Sequence, residues 1–124
     1  MQQKNQLKPT ESELEILQVL WDKTEATVRE VHETLQSVKE VGYTTTLKLM
    51  QIMHEKGLVY RNEASRTHIY RAAVERKIMQ HQYLQKMMPL FEDSPAQLVM
   101  QAIGSNKMSK EEIQQIQDYI NSIQ

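Results

Sequence analysis

The chain is 124 residues long, 40% hydrophobic and 25% charged, with a formal net charge of −1, which fits one compact domain, alone or with a short appendage, and not a disordered polymer. It has no cysteine and only three glycines and three prolines, which excludes disulfide staples, cysteine–zinc sites and thiol catalysis and favours helices over turn-rich all-β folds. No apolar run approaches the ~20 residues of a membrane helix, and residues 1–6 lack the apolar core of a signal peptide, so a cytoplasmic address is expected.

Helix starts are well marked. Thr10-Glu-Ser-Glu13 has the form of a capping box, in which side chains satisfy the free N–H groups of a first turn. Leu14, Leu17 and Trp21 follow at helical spacing, with Ile16 and Leu20 beside them. Thr27-Val-Arg-Glu30 is a second capping box, followed by Val28, Val31 and Leu35 on one face. After an interruption at Glu40-Val-Gly42, a third helical pattern runs over residues 44–56, with Leu47, Met50 and Met53 as its inward side. Gly57 sits just past its last turn, where a left-handed residue is often needed.

Two short runs rich in β-branched and aromatic residues come next, 58–62 and 67–71, separated by the polar stretch 63–66. They predict a β-hairpin. Helical patterning returns over 74–91, where Pro89 ends or kinks the helix. Ser94-Pro95 opens a short helix that Gly104 is expected to close, and Ser109-Lys-Glu-Glu112 is a third capping box that opens the last one.

Charge is unevenly spread. Residues 10–40 carry eight acidic side chains against three basic ones, whereas residues 42–73 carry five basic side chains against two acidic ones, with His54 and His68 in addition. A nearly neutral chain with one basic segment can hold a phosphate-binding face, though the same residues are equally read as solvated surface.

Three helices followed by a hairpin is the order of a winged helix-turn-helix. The third helix of such a fold enters the major groove, and the hairpin lies along the backbone or the adjacent minor groove. Tyr43, Thr44, Thr45 and Thr46 place a phenol and three hydroxyls in the first turn of the third helix, at an end that favours anions. Lys48 and Gln51 fall on the side opposite Leu47 and Met50, and both residue types pair with bases or phosphates. Arg61 and Arg66 flank the hairpin tip. Each feature has a plainer reading: the threonines as local caps on a solvated face, the arginines as charges that protect an edge strand.

The segments Leu7–Trp21, Ala26–His32, Gly42–Met50 and Glu55–Leu58 closely resemble the penicillinase-repressor (BlaI/MecI) family, with Gly42-Tyr-Thr-Thr-Thr-Leu47 the most specific stretch, and the resemblance runs from about Leu7 to Gln124. It implies a mainly α fold: a winged helix-turn-helix of three helices and a two-stranded β-wing over 1–73, followed by a helical dimerisation region over 74–124. It further implies a homodimeric transcriptional repressor bound to palindromic double-stranded DNA operators. By the same resemblance Thr44, Thr45, Thr46, Lys48 and Gln51 fall on the recognition helix, and Arg61, Arg66, Thr67 and His68 on or beside the wing.

The last helix carries Ile113, Ile116, Ile120 and Ile123 in steps of three and four, an apolar seam opposite Lys110, Gln114, Gln117, Asp118 and Asn121. Packing on Leu84, Met87 and Leu98 of the same chain is one reading. A second chain is the other, because some 50 residues of helix make a poor core of their own, and it would also bury Met79, Met87, Met88 and Met100. The resemblance implies release of DNA through proteolysis in this region by a membrane sensor metalloprotease, at an Asn-Phe bond in the short helix. Gln101 and Ala102 stand at that position here, a departure from the family pattern. The cysteine cluster of copper-responsive relatives is absent.

No catalytic constellation emerges. His32-Glu33 and His54-Glu55 lack the second histidine four residues on, where Gln36 and Leu58 stand. The four histidines have no metal spacing, Gly42, Gly57 and Gly104 are isolated, and Glu111-Glu112 complement a helix dipole. Neither an enzyme nor a cofactor, metal or small-molecule substrate is expected. A winged-helix module that binds protein in place of DNA is the alternative function.

Overall fold

A computed structural model of the chain describes residues 8–124. Residues 1–6, read above against a signal peptide, and Leu7 of the family-like motif lie outside the described residues. The elements are α1 (Glu11–Lys23), α2 (Val28–Gln36), α3 (Tyr43–Lys56), β1 (Val59–Asn62), β2 (Ile69–Ala72), α4 (Arg76–Met87), a 3-10 turn (Met88–Phe91), α5 (Pro95–Ser105) and α6 (Lys110–Ser122). Three helices followed by a two-stranded antiparallel hairpin is the winged-helix order expected from the sequence.

Two of the three predicted capping boxes form in full, and at Ser109 only the hydroxyl's half is made, accepting from the Glu112 amide at 3.1 Å. The Thr10 hydroxyl accepts from the Glu13 amide at 3.1 Å while Glu13 accepts from the Thr10 amide at 2.9 Å. Thr27 and Glu30 repeat the arrangement at 3.2 and 2.8 Å. Each box satisfies donors that a first helical turn leaves open.

Ile16, Leu17 and Leu20 of α1, Val31 of α2, Met50 and Met53 of α3, and Leu58 and Tyr70 of the hairpin make one core. Burying each of the large aliphatic side chains stabilises the fold by roughly 1.5–3 kcal/mol. The centre of the α1 face lies between the two lines the sequence suggests: Leu14 and Trp21 are only half-buried. Trp21 stays at the rim because its Nε1–H donates to the Val74 carbonyl at 2.9 Å, which fastens the start of α4 to α1. Gly57 adopts φ +85° and closes α3, with its N–H donating to the His54 carbonyl at 3.2 Å and the Leu58 N–H to the Met53 carbonyl at 2.9 Å. That left-handed conformation suits glycine.

In the hairpin Val59 pairs with Ala72, Tyr60 with Arg71, Arg61 with Tyr70 and Asn62 with Ile69. Its loop has neither Gly nor Pro. Asn62 Oδ1 instead accepts from the Ala64 amide at 2.9 Å and Ser65 donates to the Thr67 carbonyl at 2.6 Å, side-chain turns that replace glycine geometry. A bridge not visible in the sequence ties the hairpin to the α1–α2 connection: Ala26 and Tyr70 exchange backbone hydrogen bonds of 3.0 and 2.8 Å.

The chain divides into two compact units, one ending at Met79 and one running from Gln80 to Gln124. Met79 is buried, so it does not belong with the methionines expected to await a second chain. Within the second unit no residue is fully buried. Gly104 does not end α5, which continues to Ser105 with Asn106 as its C-cap.

Candidate nucleic-acid interface

α3 begins one residue earlier than its pattern suggests, at Tyr43, with Gly42 as an N-cap that offers no side chain to the open amides. Thr44, Thr45, Lys48 and Gln51 are exposed, and among the described residues no ion pair or side-chain hydrogen bond engages them. They lie within two turns on the side of α3 away from Met50 and Met53.

Thr46 is a correction. It is fully buried, and its hydroxyl donates back to the Gly42 carbonyl at 3.5 Å. Thr46 and Met50 are four residues apart and Met53 three further on, so the three share one helix face. The threonine thus takes the first inward position that the hydrophobic pattern alone gave to Leu47, which is half-buried.

Tyr43 is 40% exposed and held from α2. The Arg29 guanidinium lies 5.5 Å from the centre of its ring, and buried His32 meets it edge-on at 5.5 Å with the planes at 84°. Sequence reasoning gave Arg29 no role, because the contact joins two helices and leaves no trace in spacing.

The wing divides its cations. Arg66 and Thr67 are exposed in the loop and His68 is half-buried. Arg61 lies in β1, its side chain 22% exposed, and its guanidinium is bound to Glu63 at 2.6 Å. The Tyr70 phenol and the Glu63 carboxylate hold Arg61 protonated above its ordinary range, and the Arg61 hydrogen bond holds Glu63 below the ordinary glutamate value. The charge expected of Arg61 at the tip is therefore already half spent inside the wing. On the same hairpin Arg71 stacks over Tyr60 at 5.1 Å, and a cleft of about 250 Å³ opens beside Glu25, Tyr60, Asn62 and Arg71.

In the second unit the predicted dimer residues leave an apolar stripe on α6: Ile113, Ile120 and Ile123 are 43%, 46% and 65% exposed, and Ile116 is half-buried. Met87 is 43% exposed on α4, and Val99, Met100 and Ile103 add exposed apolar surface on α5. Gln101 and Ala102 are exposed within α5. Among the described residues no cluster of three or more His, Asp or Glu could hold a metal ion, and no helix is long and apolar enough to cross a membrane.

Comparison with known proteins agrees with this architecture. The chain is 38% identical over 56 residues to the transcriptional regulator BlaI of Mycobacterium tuberculosis, in strain CDC 1551 / Oshkosh and equally in strain ATCC 25618 / H37Rv. That match covers 44% of this chain and 41% of each relative, so the chain spans about two-fifths of the length of the curated relatives it matches. The model of the penicillinase repressor family matches residues 9–122, which takes in both the winged-helix unit and the C-terminal helices, and the chain belongs to that family.

Proposed function

We propose that the chain is a DNA-binding transcriptional repressor that sits as a cytoplasmic homodimer on a palindromic operator. The observation that carries this reading is the outer face of α3, where Thr44, Thr45, Lys48 and Gln51 stand exposed and unengaged. Polar side chains at this density on one face of a helix suit base edges and phosphates. The threonine methyls fit a thymine methyl, Gln51 can pair bidentately with adenine, and Lys48 can reach guanine or a phosphate. Arg66, Thr67 and His68 are the wing's contribution, and Tyr43 guards the N-terminal end of the helix.

The Ile113, Ile116, Ile120 and Ile123 stripe, with Met87, forms the contact between two chains in this reading. A second-unit helix set without a buried residue needs an external surface to cover it. Two linked modules then read two half-sites about one helical turn, or a multiple, apart. Release by proteolysis in the C-terminal region, with a membrane sensor metalloprotease as partner, is the regulatory half of the proposal. Gln101–Ala102 is the position to examine, and its amide lies inside α5, so the helix must open before a protease can reach it.

Selection of duplexes from a random pool, followed by fluorescence anisotropy, tests the reading. The expected result is a two-fold symmetric site whose affinity falls steeply with salt. A chain that enriches no sequence, yet captures a protein through α3 and the wing, would be an interaction module and would sink the repressor assignment.

A further inference from the structure

We infer that Arg29 is a backbone-phosphate contact of the DNA interface, held ready by the face of Tyr43. The inference rests on the DNA-binding reading above and adds to it a residue from α2. Arg29 is the second residue of α2 and is exposed. Lys39, Lys56, Arg61 and Arg76 each have a carboxylate partner. Arg29 has none among the described residues, although Glu30 and Glu33 are close in sequence. Glu30 is turned instead to the Thr27 cap at 2.8 Å.

Arg29 lies over the Tyr43 ring, 5.5 Å from ring centre to guanidinium carbon. With its central carbon over the ring and no carboxylate partner among the described residues, the guanidinium keeps N–H donors available to an incoming acceptor. Those donors suit the oxygens of a phosphate. The ring is itself fixed, because buried His32 meets it edge-on from the same helix. Tyr43 opens α3, and the amides of that first turn have no side-chain cap at Gly42. A cation on α2 and open amides on α3 therefore flank one aromatic ring, at the end of the helix that carries Thr44 and Thr45. An anion placed there meets favourable charge from both helices. Recognition at this point is of a phosphodiester, not of a base, since Arg29 is not on the groove-facing helix.

The test uses the full chain with Arg29→Gln and Arg29→Lys, titrated by anisotropy against the selected operator and against a random duplex over a range of salt. Arg29→Gln keeps the stem against Tyr43 and removes the charge. It is expected to weaken both duplexes by a similar factor, about tenfold, and to reduce the slope of log affinity against log salt by about 0.9 for each chain bound. Arg29→Lys restores the slope but only part of the affinity, because ammonium lacks the planar fork. A slope unchanged in Arg29→Gln overturns the assignment even if affinity drops, since that loss would come from packing. Weakening confined to the operator also overturns it and makes Arg29 a base reader. A wild-type chain that binds neither duplex overturns the DNA-binding reading, and this inference with it.

Discussion

Lys56, the last residue of α3, is bound to Glu13 in the first turn of α1, Nζ to Oε1 at 2.7 Å, and the glutamate side chain is only 3% exposed. The same carboxylate oxygen closes the α1 capping box on the Thr10 amide at 2.9 Å. One buried oxygen thus ends α1 at its start and pins the far end of α3 to it. The outer face of α3 is presented at an angle that this pair and the Met50–Met53 packing set together.

Removing the lysine is expected to cost more than neutralising the acid. Lys56→Met strands a buried carboxylate with one backbone partner, and urea unfolding should show a loss of about 2 kcal/mol, less than for a fully enclosed pair because the lysine is partly solvated. Glu13→Gln preserves the reciprocal cap, which accepts Gln as readily as Glu. The double variant should recover about half of the Lys56→Met loss. Additive losses in the double variant would show that the pair contributes nothing beyond its parts.

The turn after α1 carries strain that a substitution should release. Thr24 stands at φ 75°, ψ −50°, a region that a β-branched residue rarely enters. It turns the chain so that Ala26 meets Tyr70 at the base of the wing. Thr24→Gly should raise the stability of the first unit by about 1 kcal/mol, read as a higher midpoint in denaturant with an unchanged slope. A lower midpoint would mean that the threonine side chain holds the turn.

Acid should loosen the wing tip before it unfolds the core. Arg61 depresses the Glu63 titration, so the folded value lies below the 4.5 of a free glutamate. A depressed acid contributes above the unfolded value and loses that contribution as pH falls through the folded one. The Glu63 side chain is half exposed, so the pair's effect on global stability is small. An NMR titration of the Glu63 carboxyl should give a midpoint below 4.5, returning to the ordinary value in Arg61→Gln.

Much of this was legible in the sequence, because the signals were local. Thr10, Glu13, Thr27, Glu30 and Gly57 each act within one turn of their own position, and all behave as their spacing implies. The α3 face was legible except at Thr46, where a polar residue type concealed an inward position that helical geometry required. What could not be read were contacts between elements far apart in the chain: Arg29 on Tyr43, Glu13 with Lys56, Ala26 with Tyr70. Each depends on how helices and hairpin pack, and neither composition nor periodicity carries that information. Arg61 shows a further limit, for a cation's value at a surface depends on whether a neighbour such as Glu63 has already neutralised it.

The α6 stripe gives the sharpest test of assembly. Ile120 is 46% exposed and Ile123 is 65% exposed, yet both lie on the same seam as Ile113 and Ile116. A large aliphatic side chain left in water forgoes up to roughly 1.5–3 kcal/mol, so three exposed ones beside the half-buried Ile116 favour a covering surface. Ile116→Asp with Ile120→Asp places two charges in that seam. In sedimentation equilibrium the wild-type chain should run at twice its 14.6 kDa mass and the variant at once. The melting of the first unit, whose core includes none of these residues, should not change. Operator affinity should fall by a factor of about 100 or more, because each half-site is then bound without the effective concentration supplied by its linked twin. A variant that stays dimeric would move the contact to Met87, Met100 and Ile103 on α4 and α5. Were it monomeric with undiminished affinity, a single wing and recognition helix would suffice for binding, and the two-fold operator would lose its physical basis.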